Sequence, residues 1–201
     1  MIKLNFTKYA IISTVSFLLV ACSNSEQKPK EIVQVKRGNV TYTSIGLNTI
    51  LVKQAVAESN FEVVERGDSI VVIMPVKGSF NPKRPDVLMP VTLTPLTKIA
   101  KLVKQDTSKV MIIVGHTDAT GTALANNTLS AQRAKSVGSV FSVAGLPRSR
   151  MYATGVGSNQ PISSAKTAKG REQNRRVELI IAPRSSRSMD TLPNLYAVTN
   201  Y

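Results

Sequence analysis

Asp118 and Arg133 are the two residues whose types and spacing most invite chemistry. They bracket the stretch 115–133, GHTDATGTALANNTLSAQR, in which a strand ends, a Gly-containing turn follows and a helix begins near Thr122. In that helix Asn126, Leu129 or Ser130, and Arg133 fall at i, i+3/i+4 and i+7, so Asn126 and Arg133 share nearly one line of its surface. Asp118 precedes the helix, and that line can face the turn that holds it. A carboxylate, an amide and a guanidinium can thus converge, with turn N–H groups near the positive helix end as further anion donors. The spacing leaves two uses open: an internal salt bridge, or a clamp whose Asp118 meets an ammonium while Arg133 meets a carboxylate. At about 4 Å and an effective dielectric near 20, each contact gives on the order of 4 kcal/mol before desolvation, which leaves reversible binding of roughly micromolar or weaker strength.

His116, the sole His, lies between Gly115 and Thr117 and is expected to make structural hydrogen bonds. Cys22 is the sole Cys, so neither a disulfide framework nor a Cys/His zinc cage is available, and no metal or cofactor is expected.

The elements that must position these residues follow from apolar patterning. Of 201 residues 42% are hydrophobic and 19% charged, which argues against wholesale disorder. Residues 1–21 carry Lys3 and Lys8 and then the apolar stretch AIISTVSFLLVA, too short and too interrupted by Ser and Thr to span a bilayer, so they read as a signal peptide. Polar residues 22–37 read as a flexible tether, and 38–69 as an extension with loose helical spacing over 38–58. A β-hairpin is expected across Phe61–Val64 and Ile70–Met74, with its turn at Arg66-Gly67-Asp68. Pro-rich 77–90 reads as a loop, and Leu93, Leu96, Ile99, Ala100 and Val103 as a helix.

Val110–Val114 has the continuous apolar run of a buried central strand, and 122–144 a helix stopped at Gly145. A strand over Met151–Val156, a polar loop or short helix over 158–174 and a half-buried strand over Val177–Ile181 complete residues 70–183. Residues 184–201 read as an irregular tail whose Leu192, Leu195, Tyr196, Val198 and Tyr201 either pack on the domain or dock a partner. The order is α+β, βαβαββ, with helices on one face of a mixed sheet.

Leu19-Val20-Ala21-Cys22 resembles the bacterial lipoprotein lipobox, which implies cleavage before Cys22, acylation of its thiol and, with Ser23 following, sorting to the outer membrane. Two or more acyl chains make a stable anchor where one is marginal. Gly115-His-Thr-Asp118, Gly121, Asn126, Leu129-Ser130 and Arg133-Ala134 resemble the core motif of OmpA-like peptidoglycan-binding domains. Gly155-Val-Gly157, Pro161, Gly170-Arg171 and Asn174-Arg-Arg-Val177-Glu178 resemble its second half, in the right order over about 70–182.

The resemblance implies that Asp118 and Arg133 clamp meso-diaminopimelate of the peptidoglycan stem peptide, with Thr117 and Asn126 completing the shell. Phe80-Asn81 resembles the family's Phe-Asn or Phe-Asp pair on an adjoining loop, which would make Asn81 a polar contact. Leu129 belongs to the same motif. The family favours Arg175 as a supporting residue, while a structural ion pair stays open for Arg175 or Arg176. The function implied is a non-enzymatic outer-membrane lipoprotein, its domain in the periplasm, that tethers the membrane to diaminopimelate-type peptidoglycan.

Three other readings compete. A scaffold or assembly subunit of a secretion or other envelope complex would use the wall grip only as an anchor. A flagellar stator or transporter subunit would need a membrane helix with an Asp, and residues 1–25 contain none. A wall hydrolase would need paired carboxylates on a cleft or an activated thiol, and neither is visible. The excess of 26 Lys and Arg over 12 acids reads either as a solvated surface that aids solubility or as an attraction to an anionic wall or lipid head groups, and an exported lipoprotein is in the wrong compartment for nucleic acid.

Overall fold

The computed structural model describes residues 47–184 in full, together with the backbone of strands Val33–Arg37 (β1) and Val40–Ser44 (β2). The expected signal peptide, Cys22 and the tail beyond Arg184 lie outside the described residues. All described elements belong to the unit Ile32–Tyr201.

β1 and β2 pair antiparallel, with Arg37 opposite Val40. The last five residues of the expected tether are therefore a strand, and the helical spacing expected over 38–58 divides into β2 and a helix, Thr49–Val56 (α1). Asn48 caps α1, its side chain accepting the Leu51 N–H at 3.1 Å. The expected hairpin forms as Glu62–Arg66 (β3) and Ser69–Pro75 (β4), with Arg66 opposite Ser69. Gly67 takes φ 61° in the turn between them, a conformation that glycine adopts without penalty.

The helix Leu93–Gln105 (α2), the strand Lys109–Gly115 (β5), the long helix Ala123–Val143 (α3) and the strand Met151–Gly155 (β6) follow. A short helix, Ala168–Asn174 (α4), then leads to Arg176–Pro183 (β7). The sheet order is β3-β4-β7-β5-β6; β5 and β6 are parallel and every other pair is antiparallel. α1, α2 and α3 pack on one face, where Val52, Leu96, Ile99, Ile113, Phe141 and Leu179 are at most 1% exposed. Each such side chain contributes about 1.5–3 kcal/mol.

β7 departs from the half-buried strand expected. Every residue from Arg176 to Ala182 is buried, because β7 lies between β4 and β5. Arg176 and Glu178, which look like outward positions in the sequence, neutralise each other inside.

α3 is the element that matters most for the site. Thr122 caps its start by accepting the Ala125 N–H at 3.2 Å. Its end is a Schellman motif: Gly145, at φ 85°, donates to the Ser142 carbonyl and Leu146 to the Phe141 carbonyl, each at 3.0 Å. Its buried stripe is polar in the first half (Asn126, Ser130, Arg133) and apolar in the second (Ala134, Val137, Phe141). Gly115 and Gly155 let that polar half sit directly on β5 and β6; a Cβ at Gly115 would run into the Ser130 carbonyl, and one at Gly155 into the Ala131 backbone. Among the described residues no helix is long and apolar enough to cross a membrane.

Candidate functional site

Beyond β5 the chain stays extended. The His116 N–H donates to the Arg176 carbonyl and the Thr117 N–H to the Gly157 carbonyl, each at 2.9 Å. These bonds deliver Asp118 to the sheet edge beside the first turns of α3. There its carboxylate is held from two sides. Oδ1 accepts both the N–H and the hydroxyl of Thr120, and Oδ2 accepts Arg175 Nη1 at 2.5 Å. Burial works to raise the Asp118 pKa, but the Thr120 bonds and the Arg175 cation outweigh it and hold the carboxyl below its ordinary value. Asp118 is thus an anion in the folded state.

Arg133 rises from α3 and is 4% exposed. Its Nε donates to the Pro85 carbonyl at 2.8 Å and its guanidinium lies 5.5 Å from the centre of the Phe80 ring. Its Nη1 is buried with no hydrogen-bond partner among the described residues. Burial first, then the neighbouring Arg175, push the Arg133 pKa down to about 10, against the opposing pull of Asp118 and Asp86. At neutral pH it remains a cation.

Asp118 and Arg133 are therefore electrostatic neighbours without forming an ion pair with each other. The internal bridge of Asp118 goes to Arg175 instead. Arg133 and Arg175 thus meet the Asp118 carboxylate here, with Asp86 acting on Arg133 as a further anion from its own loop. The Thr117 hydroxyl is also buried without a partner.

The other expected residues take different positions. Asn126 is buried, and its Nδ2 donates to the Thr120 carbonyl at 3.0 Å, so the amide shapes the turn beneath Asp118. Asn81 accepts the N–H groups of Lys83 and Arg84 on its Oδ1 at 2.9 and 3.2 Å, so it organises its own loop. Phe80 is 4% exposed and forms the apolar floor under Arg133, while Leu129 is half-buried on α3. Arg175 and Arg176 separate: the first reaches Asp118, the second pairs with Glu178 at 2.8 Å. Cys22 lies outside the described residues.

Two contributors go unread in the sequence, Thr120 and the Pro85 carbonyl, while Ser130 is read on the helix line without its partner. Thr120 is readable in principle, since Asp-x-Thr is the spacing of a side chain that bonds two residues on. Ser130 Oγ accepts the Gly157 N–H and donates to the Asn127 carbonyl, locking α3 to the glycine turn after β6.

His116 departs from its expected hydrogen-bonding role. Both ring nitrogens are buried without a hydrogen bond among the described residues, Nε2 lying 3.9 Å from Glu178 Oε1. Burial, aided by Arg176 and Arg66 against Glu178, drives its pKa down to about 3, so it is neutral. Among the described residues no His, Cys, Asp and Glu cluster is arranged to hold a metal ion. An apolar groove lined by Leu93, Val140 and Val143 and a mixed one lined by Ala55, Glu58, Val91 and Lys98 share no residue with the polar cluster.

Comparison with known proteins agrees with this architecture. The OmpA family model matches residues 80–175. The outer-membrane lipoprotein YfiB of Pseudomonas aeruginosa is 42% identical over 97 residues, 48% of this chain and 57% of that one. The peptidoglycan-binding protein ArfA of Mycobacterium bovis is 37% identical over 94 residues, 47% of this chain and 29% of that one. The solved structure of the cell wall anchor of the T6SS from Pseudomonas aeruginosa superposes with TM-score 0.59 at 22% identity, covering 68% of this chain and all of that one, a likeness of fold. The chain spans little more than half the length of the first curated relatives it matches. Residues 80–175, which hold Asp118, Arg133 and Arg175, thus form an OmpA-family domain.

Proposed function

We propose that the chain binds peptidoglycan non-covalently by the free end of meso-diaminopimelate in the stem peptide, and that a lipid on Cys22 couples this grip to the outer membrane. The observation that carries the reading is the buried Nη1 of Arg133, unpaired among the described residues, with the Asp118 carboxylate as its electrostatic neighbour. Burying a cation's donor without a partner is costly, and a ligand carboxylate at that position relieves the cost. Asp118 supplies the complementary charge. A carboxylate offers about four acceptor positions, and the Thr120 and Arg175 bonds take three, which leaves one for an ammonium. The free end of diaminopimelate carries both groups on one carbon. The relatives described above, a peptidoglycan-binding protein and an outer-membrane lipoprotein, support the same assignment. No bond is made or broken in this reading, so the chain acts as an anchor and not as an enzyme.

The test is co-sedimentation of the full chain, in detergent, with purified sacculi. Binding to diaminopimelate-type walls is expected, with loss on Asp118→Ala or Arg133→Ala. Walls built on lysine lack the second carboxylate and leave Arg133 unpaired, so they bind far less. Sedimentation retained in both variants would reject the assignment. Mass spectrometry of the native N-terminus reports cleavage and acylation at Cys22 together, and an unmodified Cys22 would remove the membrane half of the proposal.

A further inference from the structure

The loop over Asn81–Met89 carries two cations that the diaminopimelate clamp does not use. Lys83 and Arg84 are exposed, and neither side chain has an ion pair or hydrogen bond among the described residues. They are not on a loose excursion. Asn81 Oδ1 fixes both of their N–H groups, the Asn81 N–H donates to the Val87 carbonyl at 2.8 Å, and Phe80 bridges to Leu88.

The loop is also strapped to the helix that carries the site. Arg133 Nε holds the Pro85 carbonyl, and Ser136 Oγ donates to the Asp86 carbonyl at 2.6 Å. Residue 84 therefore lies one position from a carbonyl that the clamp's own guanidinium grips. Asp86 is the loop's single acid, so the loop is net cationic.

We propose that Lys83 and Arg84 form a second anion-binding position of the same site, resting on the diaminopimelate reading above. Its ligand is the free α-carboxylate of the γ-linked glutamyl residue that precedes diaminopimelate in the stem peptide. Once the clamp holds the free end of diaminopimelate, that carboxylate is a fixed negative charge on the residue linked directly to it, separate from the carboxylate that ends the stem. A preformed loop that presents two unpaired cations next to the clamp is placed to meet it. Both side chains are exposed and flexible, so the position adds selectivity and salt sensitivity more than affinity.

The experiment compares three probes by calorimetry with the full chain: free meso-diaminopimelate, the tripeptide L-Ala-γ-D-Glu-meso-diaminopimelate, and the same tripeptide with the glutamyl α-carboxylate amidated. The acidic tripeptide is expected to bind about three- to five-fold more tightly than the amidated one, a ratio that shrinks with added salt. K83A/R84A is expected to bind the two tripeptides alike, and the charge-keeping K83R/R84K to preserve most of the ratio. Equal affinity of the unaltered chain for the two tripeptides, with free meso-diaminopimelate still bound, overturns this inference alone. A ratio that survives in K83A/R84A overturns it as well. Free meso-diaminopimelate that fails to bind removes the clamp itself, and this inference with it.

Discussion

Arg133 and Arg150 are equally buried, 4 and 5% exposed, and their surroundings could hardly differ more. Arg150 makes five hydrogen bonds to four backbone carbonyls, those of Val103, Lys104, Asp106 and Lys109. It closes the carboxyl end of α2, where a cation is favoured by the aligned peptide dipoles. Arg133 makes one hydrogen bond, stacks over Phe80 and leaves Nη1 without a partner. A guanidinium saturated by its own backbone belongs to the fold. One that is buried and unsaturated belongs to whatever arrives to complete it.

The strongest way to break that contrast is to remove each arginine in turn. Arg150→Met takes the guanidinium donor from four carbonyls, of which that of Asp106 still accepts the Lys109 N–H, and is expected to lower unfolding free energy by about 3 kcal/mol. Chemical denaturation measures this, and a loss under about 1 kcal/mol would mean that Arg150 is not the strut described. Arg133→Met gives up the Pro85 bond and the Phe80 contact but also removes a buried unpaired donor. Its stability is therefore expected to stay within about 1 kcal/mol of the original. Its affinity for sacculi should fall about a hundredfold, the usual scale for one partner of a desolvated charge pair. Large unfolding in Arg133→Met, with binding by the folded fraction intact, would reverse the two roles.

How far the sequence discloses this difference depends on the kind of signal. The apolar run of β5 and the Gly145 stop of α3 are local and readable, and they place Asp118 and the Arg133 line correctly at the end of a strand and on a helix. The partner of Arg133 is a carbonyl 48 residues away, and a carbonyl carries no residue identity to read. Arg150 is invisible for the same reason, since all its acceptors are backbone. β7 misleads in another way. Charged residues at 176 and 178 signal a solvent face until the buried Arg176 and Glu178 are seen to pair inside, with the exposed Arg66 reaching Glu178 from the surface. β1 lies within the polar stretch that reads as a tether, and β2 within a helical reading because the apolar residues of 38–58 match both periods poorly.

Acid sharpens the comparison by showing which buried group does not belong to it. His116 is neutral in the folded chain down to about pH 3 but protonates near 6.5 when unfolded. The unfolded chain therefore binds the extra proton first, so stability present above pH 6.5 is lost progressively as pH falls toward 3. Asp118 and Glu178 both titrate below their ordinary values of 3.8 and 4.5, so they add to the loss only beneath those values. Between pH 6.5 and 4.5 the fall is expected to be about 2 kcal/mol, and His116→Phe should flatten it. Both arginines stay charged across that interval, so Arg133→Met should follow the unaltered chain in parallel. A slope that disappears with Arg133 instead would place the pH response in the site.

The smallest effect is the most discriminating. Free meso-diaminopimelate at ten times its dissociation constant is expected to stabilise the chain by about 1.4 kcal/mol, because it binds the folded state alone. The thermal midpoint then rises in the unaltered chain and in Arg150→Lys, which keeps the charge but not the planar fork and so stays folded at a lower midpoint. In Arg133→Met the increment should vanish, although that variant begins as the more stable of the two. Nα-acetyl-lysine amide, which like a lysine inside a stem peptide offers an ammonium with no carboxylate on the same carbon, should give no increment in any of the three. An equal rise with that probe would show that Asp118 alone does the binding, and that the unpaired nitrogen of Arg133 is a property of the packing rather than of a site.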